Sequence, residues 1–418
     1  MLDLKFIREN PDKVKQGLQA KNVKLDLDPI LKLDESRRKI IQEVEALKAQ
    51  RNKANDEIST LKKSKQDAEP KIREMKSISE RIGRLDADGA KIDAELFSKL
   101  HFIPNIPHES TPVGGPEKNK VVKEWGGTKP KFLKSKPPRT HYELSEALGW
   151  MSSATGAKLT GSGWLYYKGM GARLERALIN FMLDLHTKKH GYEEVSPPFV
   201  VNRQTMTGTG QLPKMEEDMY RLKDEDFFLI PTAEVPVTNA HRDEVLKEEE
   251  LPKKYVAYTP CFRREAGSYG KDTKGLSRIH QFDKVELVKF AKPENSYNEL
   301  ELLCADAEKV LELLELPYRR VLLSSQDISF AAAKCYDLEV WAPGSQKWFE
   351  VSSCSNFEDF QARRINVKYK RKDSGKPELV HTLNGSGVAM PRTVIGILEN
   401  FQKDDGTIAV PQALEQYL

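Results

Sequence analysis

Three charged residues in a row, Arg263, Arg264 and Glu265, follow a β-rich run at the point where it enters a long loop containing Gly and Lys. A guanidinium at the mouth of such a loop can hold a phosphate or a carboxylate through two parallel hydrogen bonds. A carboxylate two residues further on can accept an amine or hold its neighbour in place. A surface ion-pair cluster is the alternative, and the run of charges taken alone favours that alternative.

A second group of candidate residues lies on the run that follows this loop. Residues of equal parity in a strand share one face, so Phe282, Lys284 and Glu286 point the same way. Phe282 and Glu286 are separated by about 13 Å, at about 3.3 Å per residue. That separation suits an aromatic platform for a purine at one end and an acid that holds an amino acid at the other. Taken singly, Phe282 is typical of a core residue and Glu286 of a solvent-facing one.

The sequence lacks the familiar loops that bind nucleotides. Gly161, Gly208 and Gly385 each begin a Gly-x-Gly, but none completes G-x-G-x-x-G, and G-x-x-x-x-G-K-[ST] does not occur. A nucleotide would therefore have to be held by side chains on a sheet.

The runs that carry these residues indicate strands joined directly by loops. Gly or Pro closes the β-rich runs Glu193–Val201, Tyr255–Arg263 and Ile279–Phe290, and an amphipathic helix pattern spans Ala172–His190. Strands without helical crossovers favour antiparallel pairing. We expect an α+β domain over residues 104–418, built on an antiparallel sheet flanked by helices.

Before this domain, apolar residues recur at alternating spacings of four and three. One seam runs from Ile40 to Leu61 and is broken at Arg51, and a second runs from Met75 to Leu96. Two matched seams around one turn predict a long antiparallel coiled-coil hairpin within residues 1–103, with a reach of about 45 Å. A dimerisation or spacer coiled coil explains the seams equally well.

Composition indicates where the linker lies and in which compartment the protein is expected. Residues 104–138 are rich in Pro and Gly and are expected to be a linker. Four cysteines without C-x-x-C spacing predict reduced thiols. No signal peptide and no apolar run of about 20 residues is found, so we expect a cytoplasmic protein with no membrane partner. The net charge of +4 neither demands nor excludes a polyanionic partner.

Several motifs together resemble those of the bacterial-type seryl-tRNA synthetases, which belong to class II of the aminoacyl-tRNA synthetases. The family's motif 2 is matched by two segments of this chain, Phe262-Arg-Arg-Glu-Ala-Gly and Gly275-Leu-Ser-Arg-Ile-His-Gln-Phe-Asp-Lys-Val-Glu, which resemble its two halves. Motif 1 resembles Gly191-Tyr-Glu-Glu-Val-Ser-Pro-Pro-Phe-Val, and motif 3 resembles Gly385-Ser-Gly-Val-Ala-Met-Pro-Arg-Thr. The family's own signatures are similar to Leu229-Ile-Pro-Thr-Ala-Glu-Val-Pro, Gly208-Thr-Gly-Gln-Leu-Pro-Lys and Glu350-Val-Ser-Ser-Cys-Ser-Asn-Phe. The likeness runs from the helical hairpin to the C-terminus.

This resemblance implies a set of residues around ATP. Arg263 would contact the α-phosphate and the serine carboxylate, and Glu265 would lie beside the adenine. The adenine would lie between Phe282 and Arg392, and Arg392 would also reach the γ-phosphate. The implied ATP-binding residues are Arg263, Arg264, Glu265, Ile279, Phe282, Glu350, Val351, Ser352, Ser353 and Arg392, of which Arg263, Glu265 and Arg392 are the implied catalytic residues.

The resemblance also implies a magnesium site and a serine site. Glu350 and Ser353 would hold Mg²⁺, although residues 350 and 353 face opposite sides of a regular strand. Either a bulge intervenes, therefore, or one of the two contacts is indirect. The implied serine-binding residues are Thr232, Ala233, Glu234, Arg263, Glu286, Asn384 and Ser386. Without the resemblance, strand polarity, a helix cap and a turn explain these segments.

The implied activity joins L-serine to tRNA in two steps. Serine and ATP would give seryl-adenylate and pyrophosphate, and the seryl group would pass to tRNA(Ser), with tRNA(Sec) as a further candidate acceptor. The domain 1–103 would bind the tRNA, without a DNA partner, and its candidate phosphate contacts are Lys39, Arg51, Lys62, Lys63 and Arg73. The resemblance further implies a homodimer, with Pro198 of motif 1 at the interface.

Three other interpretations remain open from the residues alone. A catalytically inactive RNA-binding paralogue should have lost charged residues of the implied site, yet Arg263, Glu265, Glu350 and Arg392 are all present. A ligase that loads a carrier protein should lack the helical hairpin, and a purely structural coiled coil leaves most of the chain unexplained.

Two positions depart from the commonest family pattern. Pro391 occupies a position where glycine is usual, and it predicts an extended backbone at Met390. Arg264 occupies a position where a small residue is frequent, and it adds charge near the phosphates.

Overall fold

The computed structural model describes residues 1–266 and 276–418. The loop that the sequence predicts after Arg263 falls partly on 267–275, which lie outside the described residues. The chain divides into two compact units, one of Leu2–Gln19 and Val23–Pro104, the other of Met1, Ala20–Asn22 and Asn105–Leu418.

The described residues form α-helices and β-strands, with several short 3₁₀ turns between them. The helices are α1 Leu4–Glu9, α2 Pro11–Ala20, α3 Asp28–Lys63, α4 Glu69–Leu100, α5 His141–Leu148, α6 Ser153–Thr160, α7 Met170–Lys188, α8 Arg203–Thr209, α9 Glu234–Asn239, α10 Ser296–Leu313, α11 Phe360–Ile365 and α12 Met390–Asn400. The strands are β1 Lys120–Trp125, β2 Met151–Ser152, β3 Tyr166–Tyr167, β4 Glu193–Glu194, β5 Val200–Asn202, β6 Phe227–Leu229, β7 Val245–Lys247, β8 Lys253–Phe262, β9 Gln281–Ala291, β10 Tyr318–Leu322, β11 Lys334–Ala342, β12 Lys347–Asn356, β13 Lys368–Lys370, β14 Pro377–Leu379 and β15 His381–Ala389.

Helices α3 and α4 form the antiparallel hairpin that the heptad seams predict. Arg37 pairs with Asp93 near one end of the hairpin, and Glu57 pairs with Lys71 near the other. Buried Val44, Leu47 and Ile82 form the centre of the seam. The helices have 36 and 32 residues, so they extend for about 54 and 48 Å. The predicted coiled-coil arm is therefore confirmed, with helices slightly longer than the seams suggest.

An eight-stranded sheet organises the second unit, in the order β1-β10-β11-β12-β15-β9-β8-β4. Neighbouring strands run antiparallel except for β4 and β8, which are parallel. The prediction of an antiparallel α+β domain flanked by helices is confirmed.

Side chains alternate along the central strands between the core and a polar face. Val285 and Leu287 of β9, Cys354 of β12 and Leu383 of β15 belong to the main hydrophobic core. Residues of the opposite parity include Lys284 and Glu286 of β9, Ser353 of β12 and Asn384 of β15, which line the cavity described below. The alternation thus gives one face of the sheet to packing and the other to chemistry.

The stretch 104–138 is more than a connector. Its residues Lys120–Trp125 form β1, which pairs with β10 at the edge of the main sheet. Pro and Gly flank this run but do not interrupt it, and such residues are compatible with an edge strand although they break helices.

The prediction of an extended backbone conformation at Met390 is wrong. Met390 is the first residue of α12, and the extended residue is Ala389 before it (φ −80°, ψ 125°). Pro391 therefore lies in the first helical turn, where its missing N–H costs no intrahelical hydrogen bond.

Among the described residues, no helix is long and apolar enough to cross a lipid bilayer.

Candidate active site

A cavity of about 420 Å³ lies on the polar face of the sheet. It is lined by residues from β9, β12 and β15, from the start of α12 and from the segment after β8. The candidates that line it are Thr232, Glu234, Arg263, Glu265, Ile279, Phe282, Glu286, Glu350, Val351, Ser353, Asn384, Ser386 and Arg392. Residues more than 150 positions apart in the sequence are thus brought to one concave site.

Four of the candidate residues lie elsewhere. Arg264 is exposed and donates its backbone N–H to the Asp218 carbonyl at 2.9 Å. Ala233 is buried in a separate apolar cluster, and the Ser352 hydroxyl donates to the Ser386 carbonyl at 2.6 Å. Pro198 is exposed on the segment between β4 and β5.

Arg263 is held at the end of the β8–β9 ladder. Its backbone N–H donates to the His280 carbonyl at 2.9 Å, and its side-chain Nε donates to the Pro231 carbonyl at 3.3 Å. The guanidinium carbon lies 5.1 Å from the centre of the Phe282 ring. Arg263 is therefore held through its backbone by His280 and through its side chain by Pro231, and it lines the cavity.

The segment after Arg263 turns sharply at Glu265, which has a positive φ of 51°. Non-glycine residues seldom adopt this conformation, and it often marks a functional position. Asp218 holds the turn, because its carboxylate accepts the Ala266 backbone N–H at 3.1 Å. Glu265 itself pairs with Arg278 at 3.0 Å.

Two buried glutamates define one end of the cavity, and an amide side chain holds each of them. Gln361 Nε2 donates to Glu234 Oε1 at 2.6 Å, and Asn384 Nδ2 donates to Glu286 Oε1 at 2.9 Å. Burial, and then the charge of Glu286, raises the pKa of Glu234 to about 7. With Glu234 ionised, this acidic end of the cavity suits an ammonium group.

Lys284 lies beside these two acids. Its Nζ donates to Thr232 Oγ1 at 2.9 Å and pairs with the Glu286 carboxylate. Only 5% of the lysine is exposed.

A β-bulge shapes the opposite end. Ser352 pairs with Leu338 and Glu350 pairs with Glu339, so Val351 is an extra residue on β12. Ser353 lies opposite Asp337, which shares a face with Glu339, and the bulge therefore brings Glu350 and Ser353 to one face. The sequence left two explanations open, a bulge or an indirect contact, and the structure contains the bulge.

Arg392 joins the same end. Its Nη1 donates to the Glu350 carbonyl at 2.8 Å and lies 3.3 Å from the Glu350 carboxylate. Behind it, burial and the charge of Glu350 raise the pKa of Asp337 well above its usual range.

A second cavity of about 450 Å³ adjoins the first. The two share Thr232, Glu234, Arg263 and Glu265, while Asp218 and Met219 line only the second. The second cavity therefore meets the first beside Thr232, Glu234 and Arg263.

Comparison with known proteins places this geometry in a family. Residues 217–401 match the tRNA synthetase class II core domain (G, H, P, S and T), and residues 1–107 match the seryl-tRNA synthetase N-terminal domain. The chain is 55% identical to the serine–tRNA ligase of Syntrophobacter fumaroxidans, over 100% of this chain and 98% of that protein. The identity to the serine–tRNA ligase of Caldicellulosiruptor saccharolyticus is 56%, over 100% and 99% of the two chains.

The chain belongs to the seryl-tRNA synthetase family. The crystal structure of seryl-tRNA synthetase from Pyrococcus horikoshii, complexed with ATP, superposes on this synthetase with a TM-score of 0.92. It is 38% identical and covers 100% of this chain and 98% of its own. The resemblance recognised in the sequence is confirmed.

Sequence reasoning missed three residues that shape the site of this synthetase. Lys284 could have been found, because it shares its strand face with Phe282 and Glu286. Asp337 and Gln361 could not, because each reaches the site through a partner on another element. Nothing in their local sequence indicates that partner.

Proposed function

We propose that the chain activates L-serine with ATP to seryl-adenylate and transfers the seryl group to tRNA. One observation carries this proposal: Arg263, Phe282, Glu286 and Arg392 line a single cavity. Its volume of about 420 Å³ is within the range of small-molecule sites.

Adenylate formation needs two anions to approach each other. The serine carboxylate attacks the α-phosphorus, a carboxylate–phosphorus bond forms, and pyrophosphate leaves with the electron pair of the broken bond. Arg263 and Arg392 would neutralise the charges that repel each other during this approach. Phe282 would hold the adenine by stacking, with Arg392 on its other face. Positioning and charge neutralisation would thus supply most of the rate, without a covalent nucleophile on the protein.

Serine would be bound at the end formed by the two glutamates. Glu234 and Glu286 suit its ammonium group, and Thr232, Asn384 and Ser386 supply polar atoms close by. Alanine lacks the hydroxyl and would leave buried polar groups unpaired, so it should be rejected strongly. Threonine would be excluded by its volume.

Glu350 and Ser353 would hold Mg²⁺. The donor set fits the ion, because the bulge turns one carboxylate and one hydroxyl oxygen to the same face beside the cavity. A bound Mg²⁺ would supply positive charge for the phosphates of ATP and would retain several waters.

The second step needs a path for the tRNA end. The terminal ribose hydroxyl attacks the acyl carbon, an ester bond forms, and AMP leaves with the electron pair of the acyl–phosphate bond. The second cavity offers such a path, since it meets the first beside Thr232, Glu234 and Arg263. The hydroxyl could reach the acyl carbon there without crossing Phe282 or Arg392.

The helical hairpin of domain 1–103 would bind the tRNA, with tRNA(Ser) as the acceptor and tRNA(Sec) as a further candidate. Its basic residues Lys39, Arg51, Lys62, Lys63 and Arg73 lie on α3 and α4, and they would contact phosphates. Among them Lys39 pairs with Glu35 of the same helix, at 2.6 Å. We further propose a homodimer with Pro198 at its interface, in the cytoplasm.

Removal of the hairpin tests this division of labour. A variant in which a short turn replaces residues 40–96 should keep serine-dependent exchange of pyrophosphate into ATP, because the cavity lies wholly in the other unit. It should lose tRNA charging. Full charging by the shortened chain would contradict the role of the hairpin, and loss of serine-dependent exchange in the full-length chain would contradict the proposed function itself.

A further inference from the structure

Lys284 is a buried ammonium within the proposed serine site, and no role has been assigned to it above. It lines the cavity together with Thr232, Glu234 and Glu286. Its Nζ reaches Thr232 Oγ1 and the Glu286 carboxylate at the same time. A buried lysine is rare unless it is paired, and here both of its partners are themselves candidates for binding substrate.

The hydroxyl of Thr232 is oriented by this contact. It accepts hydrogen bonds from Lys284 Nζ at 2.9 Å and from the Glu234 backbone N–H at 3.3 Å. A hydroxyl has two acceptor lone pairs and one proton to donate. With both lone pairs engaged, Thr232 can meet the substrate only as a donor, and therefore only at an oxygen.

The Lys284 ammonium also balances negative charge on the glutamates. Glu286 Oε2 is buried and in ion-pair contact with Lys284, and no hydrogen bond of regular geometry reaches it from the described residues. The positive charges of Lys284 and Arg263 oppose the rise in the pKa of Glu234 that burial and Glu286 cause. Gln361, which carries no charge, also opposes this rise through its hydrogen bond to Glu234.

We propose that Lys284 is a positioning residue of the serine site, which fixes Thr232 as a donor, pairs with Glu286 and favours the ionised form of Glu234 for the substrate ammonium. This inference rests on the proposed function, because the ligand is taken to be a zwitterionic α-amino acid with a hydroxyl group. Lys284 touches the protein groups that would bind serine and acts through them.

A second buried lysine on the same strand provides a matched control. Lys289 Nζ pairs with Glu299 at 2.9 Å, and only 1% of this lysine is exposed. It lines neither cavity. A Lys289→Gln variant therefore loses a comparable buried pair on β9 without touching the site.

The experiment measures serine-dependent exchange of pyrophosphate into ATP for the full-length wild type, Lys284→Gln, Lys284→Arg and Lys289→Gln. Lys284→Gln should raise the KM for serine at least about tenfold while the KM for ATP stays near that of the wild type. The pH at which kcat/KM for serine falls on the acid side should move upward, because the charge that opposes protonation of Glu234 is gone. Lys284→Arg retains the charge and should keep the wild-type acid limb.

Lys289→Gln should lower Tm and leave both the KM for serine and the acid limb unchanged. An unchanged acid limb in Lys284→Gln would overturn the proposal, as would the same rise in the KM for serine in Lys289→Gln. Should Lys284→Gln fail to fold, Lys284→Arg decides the matter, since an acid limb displaced upward despite the retained charge would contradict the proposal. A wild type without serine-dependent exchange would instead refute the proposed function.

Discussion

At the scale of single residues, the chemistry of the site depends on how burial sets the charge of its acids. Glu234 has a pKa raised to about 7 because it is buried and faces Glu286. Only the ionised carboxylate can pair with an ammonium. Protonation below about pH 7 therefore removes one negative charge from the proposed serine site.

The first prediction concerns this titration. The kcat/KM for serine should fall as the pH drops through about 7, while the KM for ATP changes little. Glu234→Gln should lower kcat/KM at neutral pH and flatten this limb. Pyrophosphate exchange measured across the pH range checks both effects, and a Glu234→Gln enzyme that keeps the wild-type limb would contradict the assignment.

The second prediction concerns the aromatic platform. Phe282→Ala should raise the KM for ATP about tenfold, because stacking of a base on an aromatic ring contributes roughly 1–3 kcal/mol. The KM for serine should change much less. Phe282→Trp retains a ring and serves as the matched control. Equal values of the KM for ATP in Phe282→Ala and the wild type would show that the adenine lies elsewhere.

Strand parity made part of the site predictable from the sequence. Phe282 and Glu286 were placed on one face from their spacing alone, and both line the cavity. The positions of Thr232, Asn384 and Arg392 beside them came only from the resemblance, since periodicity does not show which strands pair. Sequence spacing also failed to find the hydrogen bond from Gln361 to Glu234, which joins residues 127 positions apart.

At the scale of secondary-structure elements, the bulge at Val351 is the feature on which the proposed metal site depends. In a regular strand of the same sequence, Glu350 and Ser353 would face opposite sides of β12, and the bulge brings them to one face. The sequence stated this conflict but could not resolve it, because a bulge is defined by the partner strand.

The carboxylate of Glu350 provides the third prediction. Glu350→Gln removes the charged ligand of the proposed metal site, so the Mg²⁺ concentration for half-maximal exchange should rise. Ser355→Ala, on the same strand and in the same cavity, is the control that leaves Glu350 and Ser353 intact. Mg²⁺ dependence identical to the wild type in Glu350→Gln would argue against this site, provided that Tm shows a folded protein.

The helical hairpin was the most predictable element, because a heptad seam sets both the face and the direction of packing. The edge strand β1 was the least predictable. Its run Lys120–Trp125 is short and exposed, and the Pro and Gly around it dominate the local signal. Pairing with β10, which lies about 200 residues further along, stabilises it.

At the scale of the whole molecule, the proposed homodimer depends on exposed apolar residues next to Pro198. Next to Pro198, Phe199 and Val200 are 39% and 41% exposed. Apolar side chains at this level of exposure on neighbouring positions suit burial against a second copy.

A homodimer is the fourth prediction. Light scattering of the full-length protein should give a mass near twice 47.6 kDa. Phe199→Asp should shift the equilibrium toward the single chain, since a charge would be buried at the interface. A monomer mass for the wild type at micromolar concentration would contradict the proposal.

The central claim, that one cavity joins serine to the adenylyl group of ATP, is tested most directly by pyrophosphate exchange with each of the 20 amino acids in turn. Serine should support rapid exchange, and alanine and threonine should support little. Exchange that depends on another amino acid, or on none, would contradict the account of the cavity formed by Arg263, Phe282, Glu286 and Arg392.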